Sequence, residues 1–468
     1  MKNIVKKFLH LVIFFSIITL IYVIYRSEFY YGYSQFNYYF KYFLAIGIFL
    51  ILSIIVSFQK DKFQKRYLLI TFSVFISIYL LEGLINLFNI EKKNLYQINQ
   101  EIKKERISIS KKMGINYDLR TKIEYYNERK KKDKDIAIAL GTNTYLKKTE
   151  INKSALKTIY PLSGLSLKNT ILCNENGFWT EYFSDRYGFN NPDEVWDLES
   201  LDFVLVGDSF THGACVNINK QEDFSGLFRQ AGYTVLNLGI KGTSTLSEYA
   251  RIKEYISQKR KVKNLILFFY SGDLKHALKK EVADEILKKY FNKDFSQNLI
   301  LKQDLIDQIS LNEIKLSKEK TENFKVKKIV NKKNYNFISF LKFQKLRSII
   351  LIDNFNLKRD LKTDYSNMER ILQNISYSLP KTNLYLVCLP NYEETIKRGI
   401  FKPETSECNN IKKFSNQSRF KVINIRDDLF LNIKDPKKLY PFGLPGGHYN
   451  KFGYKIIVEH ILENYFNE

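Results

Sequence analysis

Three long apolar runs near the amino end constrain most strongly what this chain can fold into. They are Phe8–Tyr25, Tyr42–Gln59 and Tyr67–Phe88, and only the third contains a charged residue, Glu82. Each run is close to the roughly 20 residues that a helix needs to cross the hydrocarbon layer of a membrane. A cleaved signal peptide is disfavoured, because no small-residue cleavage site follows the first run and two more runs come after it. We therefore predict three transmembrane helices within residues 1–90, with Glu82 at a membrane interface.

The distribution of Lys and Arg predicts the orientation of these helices. The cluster before the first run and the cluster between the second and third are more basic than the loop between the first and second, which holds Arg26 and Lys41. The positive-inside rule then places the amino terminus in the cytoplasm and residues beyond about 90 on the other side. Basic residues between Lys92 and Arg106 oppose this orientation, but long domains cross a membrane largely regardless of charge.

Composition excludes some classes of partner. The formal net charge is +25, but the excess of Lys is spread along the chain. The sequence has no zinc-finger spacing or recognition-helix motif, so we expect no nucleic-acid partner. The four cysteines form no CxxC motif, which disfavours a zinc site. Outside the cytoplasm they are compatible with two disulfides in any of about three pairings, or they are buried free thiols. They are Cys173, Cys215, Cys388 and Cys408.

The remainder of the chain is predicted to form an α/β domain behind a connector. Residues 91–154 are charged and helical in character, and residues 155–200 have the turn-rich pattern of short strands packed on the main domain. From residue 201 to 468, apolar strands alternate with amphipathic helices, which indicates a doubly wound parallel sheet. Long charged helices at about 275–378 are interpreted as an insertion in this domain.

The first strand of that domain, Phe203–Val206, ends in Gly207, Asp208 and Ser209. Ligands of open α/β sheets bind at the carboxyl ends of the strands, which makes Ser209 a candidate nucleophile. An ordinary polar turn after a strand is the alternative. Asp208 is expected to accept hydrogen bonds from backbone N–H groups of the turn, as Asp does in such positions.

Three further segments follow the same pattern. Gly239 and Gly242 come after the second strand, where glycines let backbone N–H groups approach an anion. Gly272-Asp273-Leu274 follows the third strand, and His448 is displayed on a Gly/Pro loop before the last helix. With Gly207-Asp208-Ser209, these segments resemble the SGNH/GDSL hydrolase superfamily, in particular its membrane-anchored bacterial members with an extracytoplasmic esterase-like domain. The resemblance covers roughly residues 155–275 and 380–466, and it implies a flavodoxin-like sheet.

The resemblance also implies the roles of the site residues. Ser209 would be the nucleophile and His448 the general base, which takes the Ser hydroxyl proton and returns it to the leaving group. The backbone N–H groups of Ser209 and Gly242 would stabilise the oxyanion, with Asp208 and Gly239 supporting the turn. His212 is expected to be a rim or packing residue. No metal or organic cofactor is implied.

Two departures from the family pattern keep two functions open. Relatives carry Gly-Asn-Asp-Leu after the third strand, whereas here the Asn is absent or replaced by Asp273, whose carboxylate cannot donate to an oxyanion. Relatives also carry an Asp two or three residues before the His, where this chain has Pro445 and Gly446. The first function is an esterase or acyltransferase acting on an acylated envelope glycan or lipid at the bacterial inner membrane. The alternative is a catalytically degenerate subunit that binds glycan or envelope-assembly proteins.

Overall fold

The computed structural model describes residues 2–30, 36–88, 95–146, 159–256, 260–270, 274, 278–330, 340–349, 361–396, 407–415 and 418–466. The chain forms two compact units. One comprises Met1–Asn94 with Asn331–Arg359, and the other comprises Leu95–Val330 with Asp360–Glu468. Each unit is described by itself.

The first unit contains the three predicted apolar helices. They are α1 (Lys2–Ile24), α2 (Phe36–Ser57) and α3 (Asp61–Leu87). The apolar spans that correspond to α1, α2 and α3 are 27, 19 and 27 residues long, with mean hydropathies of 2.4, 2.3 and 2.2. This length and polarity suit a membrane crossing, so the three helices are a candidate membrane anchor.

Glu82 of α3 has a capping role within this unit. Its carboxylate accepts hydrogen bonds from the backbone N–H of Lys345 at 3.1 Å and of Leu346 at 2.7 Å, at the start of the short helix Gln344–Ile349. Nearby, the Tyr79 ring lies 4.5 Å from that of Phe343 between centroids. A carboxylate at a helix amino terminus satisfies donors that have no partner within the helix. These hydrogen bonds explain why a charged residue, Glu82, is present in the third apolar run.

The second unit contains two sheets. A small sheet has β1 parallel to β2 and β2 antiparallel to β3. A five-stranded sheet has the order β5-β4-β6-β7-β8, and all its pairings are parallel. Counted from its first strand this is the order 2-1-3-4-5, whose switch point lies at the carboxyl end of β4. The strands are β1 (Ala137–Ile138), β2 (Asn169–Ile171), β3 (Glu181–Phe183), β4 (Ser200–Val206), β5 (Val235–Asn237), β6 (Lys261–Tyr270), β7 (Asn383–Leu389) and β8 (Phe420–Asn424).

Alternate strand residues divide the core into two layers. On β4, Val204 and Val206 belong to one apolar cluster, whereas Phe203 and Leu205 belong to the other. Because side chains alternate along a strand, a sheet covered on both faces needs apolar residues at nearly every position. The predicted parallel α/β domain is confirmed at this level.

Helices cover both faces of the large sheet. The helix Thr245–Tyr255 packs in the first cluster through Leu246 and Tyr249, and the last helix packs in the second through Tyr454. The helices of this unit are α4 (Leu95–Lys112), α5 (Lys122–Lys132), α6 (Asn143–Leu146), α7 (Phe224–Gln230), α8 (Thr245–Tyr255), α9 (Leu278–Val282), α10 (Gln303–Val330), α12 (Leu361–Ser378), α13 (Tyr392–Ile396), α14 (Glu407–Ser415), α15 (Ile425–Asp428) and α16 (Lys451–Tyr465), where α11 denotes Gln344–Ile349 of the other unit.

Candidate active site

The candidate nucleophile lies in a tight turn directly after β4. The Asp208 carboxylate accepts from the backbone N–H of Phe210 at 2.9 Å, as expected for an Asp at this position. The N–H of Ala214 donates to the Ser209 carbonyl at 3.0 Å and closes the turn. A Cβ at Gly207 would collide with the Thr211 hydroxyl, so the turn needs glycine there. These contacts hold Ser209 at the carboxyl edge of the sheet, beside the switch point.

The structure brings His448 next to this serine. The His448 Nε2 atom lies 2.7 Å from Ser209 Oγ, although the two residues are 239 positions apart. The Phe210 ring packs edge-on against the imidazole at 4.7 Å. Arg106 of α4 donates to the carbonyls of Pro445 at 3.3 Å and Gly446 at 3.2 Å, so the connector helix supports the histidine loop.

A carboxylate that the sequence analysis did not identify completes the arrangement. Glu175 Oε1 lies 3.1 Å from His448 Nδ1, and its Oε2 accepts from the His448 backbone N–H at 2.7 Å. Glu175 lies between β2 and β3 of the small sheet, 273 positions from the histidine. The carboxylate therefore comes from a different part of the chain than the residues just before the His. The sequence feature nearest to Glu175 that could have drawn attention to it is Cys173, two residues earlier.

A disulfide links the Glu175 segment to the nucleophile turn. Cys173 is bonded to Cys215, and Cys388 to Cys408, so both pairs are disulfides. The Cys215 sulfur lies 3.9 Å from His448 Nδ1. Glu175, His448 and Cys215 are close enough to surround an ion. The Cys215 sulfur is consumed by its bond to Cys173, however, and cannot act as a thiolate, so this group is better suited to orienting the imidazole than to holding a metal.

The charges of the site favour a protonatable histidine beside an ionised acid. Burial disfavours the imidazolium, but the charge and hydrogen bond of Glu175 outweigh burial and raise the pKa of His448 above its usual value. Burial likewise opposes ionisation of Glu175, yet the His448 charge and hydrogen bond, helped by Arg106, lower the pKa of this acid. Burial raises the pKa of Asp208, which hydrogen-bonds the turn. The Glu175 carboxylate can thus stabilise a positive charge that develops on His448.

The glycine loop after β5 packs against the nucleophile turn. A Cβ at Gly239 would lie 2.5 Å from the backbone nitrogen of His212, so only glycine permits this approach. Gly242 has a φ of 72°, and among the described residues its N–H has no hydrogen-bond acceptor. The exposed side chain of Asn143 lies against Gly242, with its amide 2.9 Å from where a Cβ would stand. Asp273, the other predicted oxyanion residue, lies outside the described residues.

Buried polar contacts support the turn and the start of α8 from behind. Arg251 of α8 is fully buried and donates to the Gly207 carbonyl at 2.8 Å. Glu281 of α9 accepts from the backbone N–H of Ser244 at 2.8 Å and from the Ser247 hydroxyl at 2.6 Å. Burial raises the pKa of Glu281 to about 7. These residues are positioning groups that sequence reasoning missed, because they lie on helices with no recognisable motif.

His212 is a packing residue. Its Nε2 is 2.8 Å from the Tyr182 hydroxyl, and its Nδ1 accepts from the backbone N–H of Lys241 at 3.2 Å. Burial and neighbouring positive charges lower its pKa to about 3, so the ring is neutral. With both nitrogens occupied, it is not available as the base.

A cleft of about 470 Å³ is lined by residues that are close to the site residues in sequence. Its lining includes Asn176, Val216 and Asn450, which neighbour Glu175, Cys215 and His448 in sequence, together with the rings of Phe178 and Phe452. A larger cavity of about 540 Å³ is lined by residues such as Tyr377 and Arg419, none of which belongs to the site.

Comparison with known proteins gives only distant structural similarity. No protein-family model matches the chain, and no curated protein matches it. A two-domain esterase active on acetylated mannans, solved with and without mannopentaose, matches 58% of this chain and 50% of its own length, with 11% and 12% identity and a TM-score of 0.30. A protein from Streptococcus pneumonia described as a platelet activating factor matches 58% of this chain and 88% of its own, with 12% identity and a TM-score of 0.28. The matched region thus spans half the length of the esterase.

Proposed function

We propose that this protein is a membrane-anchored serine hydrolase of the SGNH/GDSL type, with a flavodoxin-like catalytic domain, that cleaves or transfers acyl esters. The observation that carries the proposal is the chain of contacts from Ser209 through His448 to Glu175, at 2.7 Å and 3.1 Å. Nucleophile, base and orienting carboxylate in this order are what acyl transfer through a serine requires.

The mechanism follows from these contacts. His448 Nε2 takes the proton of the Ser209 hydroxyl as its oxygen attacks the ester carbonyl, and it then delivers the proton to the leaving alcohol. Glu175 keeps the other proton on Nδ1, so that Nε2 is free to accept. Water attacks the resulting acyl-enzyme in hydrolysis, and a second alcohol attacks it in transfer.

Oxyanion stabilisation is assigned to the nucleophile turn, to the glycine loop that packs on it and to the neighbouring residue Asn143 of α6. The N–H groups of Ser209 and Gly242 are the proposed donors, and the amide of Asn143 beside Gly242 is proposed to replace the family's missing Asn. An amide can donate where the carboxylate of Asp273 cannot. Loss of one such donor typically lowers the rate by about 10²–10³-fold.

Glu175 also bears on the alternative of a degenerate assembly subunit. The family's missing Asn and Asp both favour that alternative, and Glu175 supplies an acid from the small sheet in place of the Asp. The proposed substrate is an acylated envelope glycan or lipid. Envelope-assembly proteins are proposed as partners of the same domain.

The proposed location is the bacterial inner membrane, with the amino terminus cytoplasmic and the catalytic domain periplasmic. The two disulfides support a periplasmic location of the catalytic domain, because disulfides persist in oxidising compartments. A reporter enzyme that is active only outside the cytoplasm, fused after Glu468, should be active. An inactive reporter, with a cytoplasmic reporter active at the same position, would reverse the orientation.

The hydrolase proposal is tested by ester turnover. Full-length protein in detergent should hydrolyse 4-nitrophenyl acetate, and Ser209→Ala or His448→Ala should lower kcat by at least about 10³-fold. Ser378→Ala is the matched control, since the Ser378 hydroxyl donates to the Asn374 carbonyl of its own helix at 2.9 Å and neither residue belongs to the site. Turnover that is equal in wild type and Ser209→Ala would contradict the proposal.

A further inference from the structure

Part of the chain between α10 and α12 returns to the apolar helices. Residues 340–349, here called the return segment, belong to the first unit, although α10 before them and α12 after them belong to the second. The Phe343 ring lies 4.5 Å from the Tyr79 ring of α3 between centroids. The guanidinium of Arg347 lies 5.3 Å from the centre of the Tyr42 ring of α2. The return segment is therefore packed against two of the three helices of the candidate anchor.

Glu82 of α3 provides a seat for the return segment. Its side chain is fully buried, and its carboxylate accepts the backbone N–H groups of Lys345 and Leu346 at the start of α11. Both of these residues are buried as well. A carboxylate within an apolar span is costly unless polar groups of the protein compensate it. The return segment supplies two such groups, and these bonds hold it at the level of Glu82.

The helices α2 and α3 are antiparallel. The hydroxyls of Ser53 and Tyr67 are 2.7 Å apart near the short turn between the helices. Further from the turn, the rings of Phe49 and Phe75 are 6.4 Å apart between centroids. The start of α2 and the end of α3 therefore lie on the same side of the pair.

Helix geometry places the contacts of the return segment close to a membrane boundary. At about 1.5 Å per residue, Glu82 lies about 8 Å before the end of α3, and Tyr42 lies about 9 Å after the start of α2. The 27 residues of α3 span about 40 Å, whereas the hydrocarbon core is about 30 Å thick. A crossing helix of this length extends beyond the hydrocarbon at its ends. Both contact residues would then lie within a few ångströms of the hydrocarbon boundary.

The exposed side chains of the return segment suit the headgroup level of a bilayer. Leu341 is 45% exposed, and its neighbour Lys342 is exposed as well. The segment contains three basic residues and no acidic one. At a membrane interface, apolar side chains enter the acyl boundary, while Lys and Arg extend to the lipid phosphate groups. An exposed leucine beside an exposed lysine fits this division.

We propose that Glu82 holds the return segment in the headgroup region of the bilayer, with Leu341 at the acyl boundary and Lys342 at lipid phosphates. The proposed partner is the phospholipid surface on the side where α3 ends. The chain is thereby attached to the membrane a second time, without a further crossing. This inference rests on the three helices crossing the membrane and is independent of ester hydrolysis.

The test measures contact between Leu341 and lipid. All four cysteines form disulfides, so an introduced Cys is the site for a thiol-reactive fluorophore. Labelled full-length Leu341→Cys is reconstituted in phosphatidylcholine–phosphatidylglycerol vesicles, with and without acyl chains brominated near the headgroup, which quench on contact. We expect quenching within about twofold of that at Leu84→Cys, an exposed leucine of α3 close to the level of Glu82. Leu301→Cys, an exposed leucine of the second unit, is the control for quenching without insertion.

The label at Leu84 makes each outcome decisive. An unquenched label at Leu341, with the label at Leu84 quenched, would overturn the proposal. Glu82→Ala should lower the quenching at Leu341 by about half or more and leave that at Leu84 unchanged, because the seat is lost while α3 still crosses. Quenching at Leu341 that persists in full in Glu82→Ala would overturn the role of Glu82. If neither label is quenched, the proposal falls together with the anchor, whatever the activity toward esters.

Discussion

Replacing Glu175 by Gln should disable the base while leaving the fold intact. Glu175 accepts two N–H groups of His448, the backbone one at 2.7 Å and the ring one at 3.1 Å. A Gln has one acceptor oxygen, and the shorter backbone bond should hold it. The amide NH₂ then faces Nδ1, which must accept, so the ring proton moves to Nε2 and that atom no longer accepts the Ser209 proton.

The expected cost is that of a wrong imidazole tautomer. Where an equivalent acid was replaced by its amide, kcat fell by about 10⁴-fold, which corresponds to about 5 kcal/mol of transition-state stabilisation. The assay is acetyl ester turnover by Glu175→Gln, with Glu181→Gln as the control. Glu181 lies in the same small sheet and pairs with Arg129 at 2.8 Å, away from the histidine.

Two results would refute this reasoning. A Glu175→Gln variant that keeps kcat within tenfold of wild type would show that the carboxylate does not orient the base. A loss of activity in Glu181→Gln equal to that in Glu175→Gln would assign the effect to the small sheet as a whole. Thermal unfolding of both variants identifies any loss that comes from unfolding.

Three further predictions follow from the same contacts. Glu175 raises the pKa of His448, and the base must be neutral to act. The acid limb of the pH profile of kcat/KM should therefore have its midpoint above about pH 6.5 in wild type and move to lower pH in Glu175→Gln. An acid limb that does not move would contradict this. Removing the Cys173–Cys215 or the Cys388–Cys408 disulfide by Ala substitution should lower the free energy of unfolding by similar amounts, about 3–4 kcal/mol from loop-closure entropy. Only loss of Cys173–Cys215 should also lower kcat. Equal kcat values in the two folded variants would show that this disulfide does not support the site. Gly239→Ala should lower the free energy of unfolding by about 1–3 kcal/mol, because the new Cβ would lie 2.5 Å from backbone atoms of the nucleophile turn. An unchanged melting temperature would show that the loop does not pack this closely on the turn.

Local patterns in the sequence predicted the scaffold. Apolar run length identified the three helices of the candidate anchor, and an apolar strand ending in Gly207-Asp208-Ser209 identified the first strand of the parallel sheet. Strand alternation and glycine turns are written into neighbouring residues, so they can be recognised without the fold. The His448 loop was recognisable for the same reason, and the structure places this histidine beside Ser209.

Contacts between distant segments could not be predicted in this way. Glu175 reaches His448 only because β2 and β3 of the small sheet place their connection over the histidine loop. Arg106, on a helix interpreted as a simple connector, binds the carbonyls of that same loop. The cysteine pairing was open for the same reason, since Cys173 and Cys215 meet only when the small sheet docks on the nucleophile turn. No local pattern distinguishes these residues from ordinary surface or turn residues.

Covalent labelling measures the central claim most directly. Full-length protein is treated with a fluorophosphonate, digested, and mapped by mass spectrometry. We expect a single adduct on the Ser209 oxygen, formed slowly or not at all in His448→Ala because the hydroxyl then lacks its base. An adduct on another residue, or labelling of Ser209→Ala at the wild-type rate, would contradict it.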